Sequence, residues 1–153
     1  MRLTTTDVTA WARHRIDIDG GAPDVTGLRR TAIELEPGVP YIERFHVIDS
    51  RSVSIRFHHW LSSDDGRAPH DHPWNNGTML LAGSLLEHTA GAVHQLEPHA
   101  VITRAATDAH IIELQSPDAW TLFVTGPVIR PWGFHTAAGW VHWSDWPGAG
   151  RYV

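Results

Sequence analysis

The sequence predicts an all-β domain, either an antiparallel sandwich or a barrel, on the strength of three observations. Short runs rich in β-branched and aromatic residues recur from residue 31 onward. Glycine and proline punctuate these runs at short intervals, and almost no segment has a helical pattern. Short strands with this punctuation are typical of antiparallel β architectures.

The N-terminal part of the chain contains the one predicted helix, and the first strands follow it. Residues 6 to 16 predict a short helix with a threonine cap. The run "TAIELEPG" then alternates as a strand until Pro37 and Gly38 break it. The run "SVSIRFHHWL" has a period of two, and we expect the face shared by Phe57 and His59 to point into the core.

Five further strands are predicted between residues 77 and 127. The run "GTMLLAGSLLEHTAG" contains two strands that meet at Gly83, and "HAVITRAATDAHIIEL" contains two strands around the polar "AATD". The run "AWTLFVTGP" is the clearest strand, because β-branched and aromatic residues continue up to Gly126 and Pro127.

The last segment differs from the strands because it is rich in glycine and holds half of the tryptophans. We expect an aromatic flap that either packs on the barrel or walls a pocket. The domain prediction is a single unit over residues 1–153, with a barrel core at about 31–127 and the flap at 128–153. The tryptophans of the flap are Trp132, Trp140, Trp143 and Trp146.

The composition excludes several kinds of chemistry. The chain has no cysteine, which excludes disulfides and thiolate metal sites, and all 12 basic residues are arginine, which excludes a catalytic lysine. A net charge of −5 without a basic run gives no support for nucleic-acid binding. No apolar stretch approaches the roughly 18 residues of a membrane span, and the N-terminus lacks the apolar segment of a secretory signal. We therefore expect a cytoplasmic protein that binds neither nucleic acid nor membranes.

Two histidines one residue apart, in "APHDHPWNNG", form the main candidate motif. On an extended chain His70 and His72 point to the same side, about 6.6 Å apart along the strand. Pro73 favours this geometry, because the residue before a proline is biased to the extended region. Two such imidazoles can bind one metal ion. Asp71 points the other way, so it lies either behind the ligands or on the surface.

A third ligand must come from another part of the fold, and His110 is the best candidate. It begins the predicted strand "HIIEL" after a polar loop, a few strands further along the chain. A barrel can bring the chain back over such a length. We therefore predict that His110 lies opposite His70 and His72.

The layout resembles the cupin superfamily of small jelly-roll barrels. The first cupin motif is loosely Gly, five residues, His-x-His, three or four residues, Glu, six residues and Gly. The run "HDHPWNNGTMLLAG" keeps both histidines and Gly83, with Asn76 in place of the glutamate, and the second motif is reduced to His110. The runs "HDHPW", "LAGSLLE" and "RPWGFH…GW" are similar to uncharacterised bacterial and phage cupin-like proteins. The resemblance implies a cupin-type jelly-roll β-barrel with a short N-terminal extension and the aromatic-rich C-terminal flap.

A site of three histidines without the glutamate resembles that of the three-histidine cupin dioxygenases. The resemblance implies a divalent first-row metal on His70, His72 and His110, with Fe(II) favoured and Ni, Mn, Cu or Zn as alternatives. The predicted reaction is oxidation of a small chelating substrate with dioxygen. Asn76 is either a weak oxygen ligand or a donor to the substrate, and Asp108 is an alternative carboxylate ligand.

Three further residues are candidates for catalysis. Glu87 follows Gly83 and is either a general base inside the barrel or a surface residue. His58 is either a core histidine or a pocket group that works as a ligand or an acid/base catalyst. His135 either orients the substrate or packs in the flap.

Substrate binding and exclusion of water are assigned to three more side chains. Arg56 and Arg130 can bind a carboxylate or phosphate through bidentate contacts, and the alternative for each is a surface salt bridge. Trp74 is expected to help the apolar barrel keep water away from the metal.

Two other functions are consistent with the sequence. One is a non-redox isomerase, epimerase or lyase with zinc or no metal, which would pair Glu87 with His58 or His135. The other is a ligand-binding module without turnover. In each case we expect a homodimer, because cupins often pair through strand edges and an open sandwich has edges to protect.

Overall fold

A computed structural model describes residues 15–16, 20–64 and 68–147. Within these ranges about half of the residues lie in β-strands and the other regular element is one 3₁₀ turn, so the all-β prediction is confirmed. No helix in the described part has the length and apolar character needed to span a membrane. The helix predicted over residues 6 to 16 lies outside the described residues except for its last two positions. The strands are β1 (Arg29–Glu36), β2 (Val39–Asp49), β3 (Ser54–Trp60), β4 (Asn76–Ala82), β5 (Leu85–Thr89), β6 (Val93–Leu96), β7 (Val101–Arg104), β8 (His110–Leu114), β9 (Ala119–Thr125), β10 (Gly133–Thr136) and β11 (Gly139–His142), followed by a 3₁₀ turn at Trp143–Asp145.

The strands form two antiparallel sheets that enclose one core. Six strands make the first sheet, in the order β1-β2-β3-β9-β4-β7. The second sheet has the order β6-β5-β8 and is continued by bridges from His110 to His70 and from His70 to Phe134 of the β10-β11 hairpin. Side chains of both sheets meet in the core cluster, which includes Tyr41, Ile42, Trp60, Leu80, Leu85, Leu96, Ile112 and Ala119.

The predicted junction at Gly83 separates β4 from β5. Its φ of +83° is a left-handed value that favours glycine. A Cβ atom at this position would lie 2.4 Å from the carbonyl oxygen of Asp118, so the close approach of the β9 start also requires glycine. The glycine of the motif therefore has a backbone role.

The prediction for the faces of β3 is wrong. Arg56, His58 and Trp60 line the interior cavity, whereas His59 points outward and stacks on Trp120 with 4.2 Å between ring centroids. Phe57 is fully buried on the face shared with His59. Because both faces of β3 carry buried side chains, alternation alone does not identify the interior face.

Several strands lie in segments that the sequence pattern left unassigned. β2 is among them because it carries charges on both faces: Glu43 bonds outward to Arg30, and Arg44 lines the interior. The flap contains the β10-β11 hairpin, in which a Cβ at Gly133 would lie 2.1 Å from the carbonyl oxygen of Val141.

Candidate metal centre and cavity

The two motif histidines are placed by backbone pairing with their predicted partner. His70 and His110 exchange two backbone hydrogen bonds of 3.0 Å, and the amide of His72 donates to the carbonyl of Ala106 at 3.0 Å. The loop after β3 is thereby fastened to the start of β8. All three imidazoles consequently point toward one another.

The ring nitrogens have a spacing that suits one divalent ion. One ligand nitrogen from each of His70, His72 and His110 lies within 4.8 Å of the other two. The Nε2 atoms of His72 and His110 are 2.9 Å apart. Two bonds of about 2.05 Å at a right angle would separate their nitrogens by about 2.9 Å. The pair His72 and His110 therefore matches two neighbouring ligands of an octahedral first-row metal, and a nitrogen of His70 lies within 4.8 Å of both.

Glu87 orients His110 from behind. Its Oε1 atom accepts a hydrogen bond from Nδ1 of His110 at 2.6 Å and another from Nε of Arg104. This bond leaves Nε2 of His110 directed toward Nε2 of His72, which is the usual arrangement for a histidine that ligates a metal. Burial works to raise the pKa of Glu87, but the hydrogen bonds from His110 and Arg104 lower it to about 2. Glu87 is therefore an anion at neutral pH.

Asp71 fastens the C-terminal hairpin to the histidine loop. Its side chain is only 1% exposed, and its pKa is lowered because hydrogen bonds to the carboxylate outweigh the effect of burial. Arg130, one of its partners, also donates to the carbonyl oxygens of His72 and Ala106. Asp71 accepts from Gly133 N at 2.8 Å, His135 Nε2 at 2.9 Å, Trp140 Nε1 at 3.1 Å and Arg130 Nη1 at 3.0 Å.

The three histidines line a cavity of about 320 Å³ whose walls are largely apolar. Trp74 stacks on His72 with 4.8 Å between centroids and meets Phe123 edge-on at 5.4 Å. Trp132 and Phe134, from the flap, lie 6.4 and 6.1 Å from the ring of His70. Of the two arrangements expected for the flap, the described part therefore walls the pocket.

The opposite wall of the cavity is polar and comes from β2 and β3. Arg44 pairs with His58 across the two strands, and Arg56 lies two residues before His58 on the same face. Burial and the neighbouring cations Arg44 and Arg56 hold the pKa of His58 well below its usual value. His58 is therefore neutral at pH 7.

The predicted site residues divide between the cavity and its surroundings. Asn76 does not line the cavity, because its Oδ1 atom accepts from Arg104 at 3.1 Å. His135 is largely exposed and Asp108 bonds the amide of Ala105. Neither Asn76 nor Asp108 is placed as a metal ligand. The cavity is lined by His70, His72, His110, Trp74, Arg56 and His58, whereas Asn76, Glu87, Arg130 and His135 lie outside it.

Sequence reasoning missed Arg44 as a candidate and left the position of Asp71 open. Arg44 lines the cavity, and its only signal was the alternation of Ile42, Arg44 and His46 along β2. Asp71 is neither a surface residue nor a ligand, and its partners lie about sixty residues later. Local pattern carries no signal for such a contact.

An antiparallel double sheet that encloses three convergent histidines defines a cupin-type jelly roll with a candidate metal centre. No family model and no curated protein matches the sequence. Solved structures do match: a cupin-2 domain protein of Rhodospirillum rubrum has a TM-score of 0.59 at 16% identity, covering 74% of this chain and 79% of that one. The resemblance to cupins is confirmed at the level of the fold.

Two enzymes are also similar to this chain. The Fe(II) form of HppE has a TM-score of 0.56 at 13% identity, over 81% of this chain and 77% of that one. A structure from a study of the DMSP lyases RdDddP and RnDddQII has a TM-score of 0.53 at 17% identity, over 65% of this chain. The match spans 56% of that chain. At these identities the likeness shows the fold.

Proposed function

We propose that the protein is a mononuclear metal-dependent cupin enzyme, and specifically a three-histidine Fe(II) oxygenase or dioxygenase that acts on a small chelating substrate. The observation that carries the proposal is the convergence of His70, His72 and His110 in one cavity, where no carboxylate of the described residues joins them as a ligand. Fe(II) bound there would supply Lewis acidity and one-electron chemistry with dioxygen.

The residues around the histidines support this role. Neutral imidazoles leave the charge of a divalent ion uncompensated, which favours a substrate with an anionic chelating group. Glu87 keeps His110 in one tautomer and orientation. Trp74 and Phe123 place apolar rings beside His72, where they would limit the access of water.

The non-redox alternative has less support from the side chains. It needs Glu87 to pair with His58 or His135, but the hydrogen bonds of Glu87 within the described ranges go to His110 and Arg104. His58 faces the cavity, and none of the described residues that line the cavity with it is a carboxylate. A homodimer and a cytoplasmic location stay predictions.

Metal loading followed by oxygen consumption tests the proposal. Metal-free protein is titrated anaerobically with ferrous iron, and oxygen uptake is then measured with a panel of small chelating acids. We expect one iron per chain and substrate-dependent oxygen uptake that disappears in His72→Ala. The matched control His94→Ala, at an exposed position of β6, should behave as the original protein. Full occupancy by zinc as purified, with no oxygen uptake in the iron-loaded protein, would contradict the oxygenase assignment.

A further inference from the structure

Three nitrogen atoms on the β2-β3 wall are buried without a hydrogen-bond partner. They are Nε of Arg44, Nε of Arg56 and Nε2 of His58. All three side chains line the same cavity, and they are neighbours across or along the two strands. Buried polar nitrogens are normally paired, because an unpaired one loses its hydrogen bond to water without a replacement. Because these atoms are enclosed by protein, a molecule in the cavity would be bound by the remaining donors of the same side chains, such as the Nη groups of Arg44.

The charges of this wall are also unbalanced. Asp49 is shared between Arg56 at 2.9 Å and Arg29 at 2.5 Å. Arg44 forms no ion pair within the described ranges. The pKa of Arg44 is lowered, chiefly because of its burial and then because of Arg56. Arg29, Arg44 and Arg56 therefore lie around the carboxylate of Asp49, and a further anion would balance their charge.

We propose that Arg44, Arg56 and His58 form a subsite that binds a carboxylate group of the substrate, which makes the substrate a small organic acid. The identification of the acid as a substrate rests on the proposed function, whereas the subsite itself needs no metal. A carboxylate offers acceptor lone pairs to the guanidinium and imidazole donors. Its single charge is less costly to bring into a largely apolar cavity than the double charge of a phosphate.

The carboxylate would be held away from the metal ligands. The ring of His58 lies 4.6 Å from that of Phe123, Phe123 lies 5.4 Å from Trp74, and Trp74 lies 4.8 Å from His72. The rings of Phe123 and Trp74 therefore form a continuous aromatic surface between His58 and His72. The acid would reach the histidines with a second polar group at its other end, and the aromatic side chains would contact its apolar middle.

Binding of small anions to metal-free protein tests the subsite. Propionate and inorganic phosphate are the probes, and binding is measured by calorimetry and by the shift in melting temperature. We expect propionate to bind more tightly than phosphate. Arg44→Met should weaken propionate binding about 10-fold or more, as expected for loss of a charge-assisted hydrogen bond. The control Arg51→Met, at an exposed position outside the cavity, should leave it unchanged.

The stability of the variants separates a binding role from a structural one. Without a probe, Arg44→Met should melt at the same temperature as the original protein or higher, because methionine keeps the apolar stem and removes an unpaired charge. Arg44→Lys, which keeps the charge but loses Nε, should bind propionate with intermediate affinity. A lower melting temperature, or failure to fold, in Arg44→Met would overturn the subsite by showing a structural guanidinium. Equal propionate binding in the original protein and Arg44→Met, or tighter binding of phosphate, would overturn it as well.

Measurement of metal binding distinguishes failure of the carboxylate subsite from failure of the proposed function. Zinc binding is measured in parallel on the original protein and on Arg44→Met. If propionate binds through Arg44 but neither zinc nor ferrous iron binds, the subsite stands and the metalloenzyme assignment fails. If the metals bind and Arg44→Met retains propionate, the subsite fails and the assignment is unaffected.

Discussion

The two walls of the cavity differ in how their polar groups are satisfied. At the histidine wall, Glu87 accepts from His110, and the loop of His72 is held by Asp71 and Arg130. At the β2-β3 wall, buried nitrogens of Arg44 and His58 have no partner. A wall built with partners behind it is preorganised for a small ion, whereas a wall without partners is suited to a ligand that brings its own acceptors.

This difference predicts opposite effects of substitution on stability. Removing a buried group that others depend on leaves those groups unpaired and destabilises the fold. Removing a group that lacks partners should change the free energy of unfolding only slightly. The predictions below address this contrast, beginning with the largest expected effect.

Removal of one histidine should have the largest effect. His110→Ala is expected to weaken zinc or ferrous binding about 1000-fold, since one of three ligands and the bond to Glu87 are both lost. Equilibrium dialysis against a chelator of known affinity measures the change. The exposed His94→Ala serves as the control, and similar losses in both variants would show that His110 has no special place in metal binding.

Removal of the hairpin anchor should lower the free energy of unfolding by about 3 kcal/mol. Asp71→Ala leaves several donors, including Arg130, without their buried acceptor. Asp71→Asn keeps one acceptor oxygen and should lower the free energy of unfolding by a smaller amount. Chemical denaturation measures both, with the exposed Asp145→Ala as the control. If Asp71→Ala were as stable as the original protein, the histidine wall would not depend on its partners as described.

The residue behind His110 should have a moderate effect on metal affinity. Glu87→Gln keeps an acceptor for Nδ1 of His110 but loses the charge, so we expect about a 10-fold weaker zinc affinity. Competition titration measures the zinc affinity of both proteins. Glu113→Gln is the matched control, because Glu113 bonds His88 at the surface. A loss in the control equal to that in Glu87→Gln would point to a general electrostatic effect.

The smallest predicted effect concerns pH and the polar wall. The folded-state pKa of His58 lies below the unfolded value of about 6.5, so the unfolded chain binds a proton that the folded chain rejects. Its contribution to stability is present above about pH 6.5 and is lost as pH falls below it. We expect His58→Gln to reduce the loss of unfolding free energy between pH 7.5 and 5.5 by about 1 kcal/mol.

Denaturation of metal-free protein at the two pH values measures this difference. His94→Gln provides the comparison at an exposed position. An unchanged pH dependence in His58→Gln would mean that His58 is protonated equally in the folded and unfolded states.

The fold and the orientation of the pair His70 and His72 were predictable from sequence because their signals are local. The His-x-His spacing, the following proline and Gly83 each report a backbone conformation within a few residues. The position of Asn76 was not predictable, because the motif places it near the metal whereas Arg104, on a strand distant in sequence, holds its side chain. The position of Arg44 in the cavity was not predictable, because β2 carries charges on both faces. Which face lies inside is decided only by how the two sheets pack together.

The central claim is that His70, His72 and His110 share one metal ion. An anomalous difference map from crystals of the zinc-loaded protein tests it most directly. The account predicts a single strong peak in the cavity, within about 2.0–2.1 Å of one ring nitrogen from each histidine. Zinc bound elsewhere, or bound by only one of these imidazoles, would contradict it.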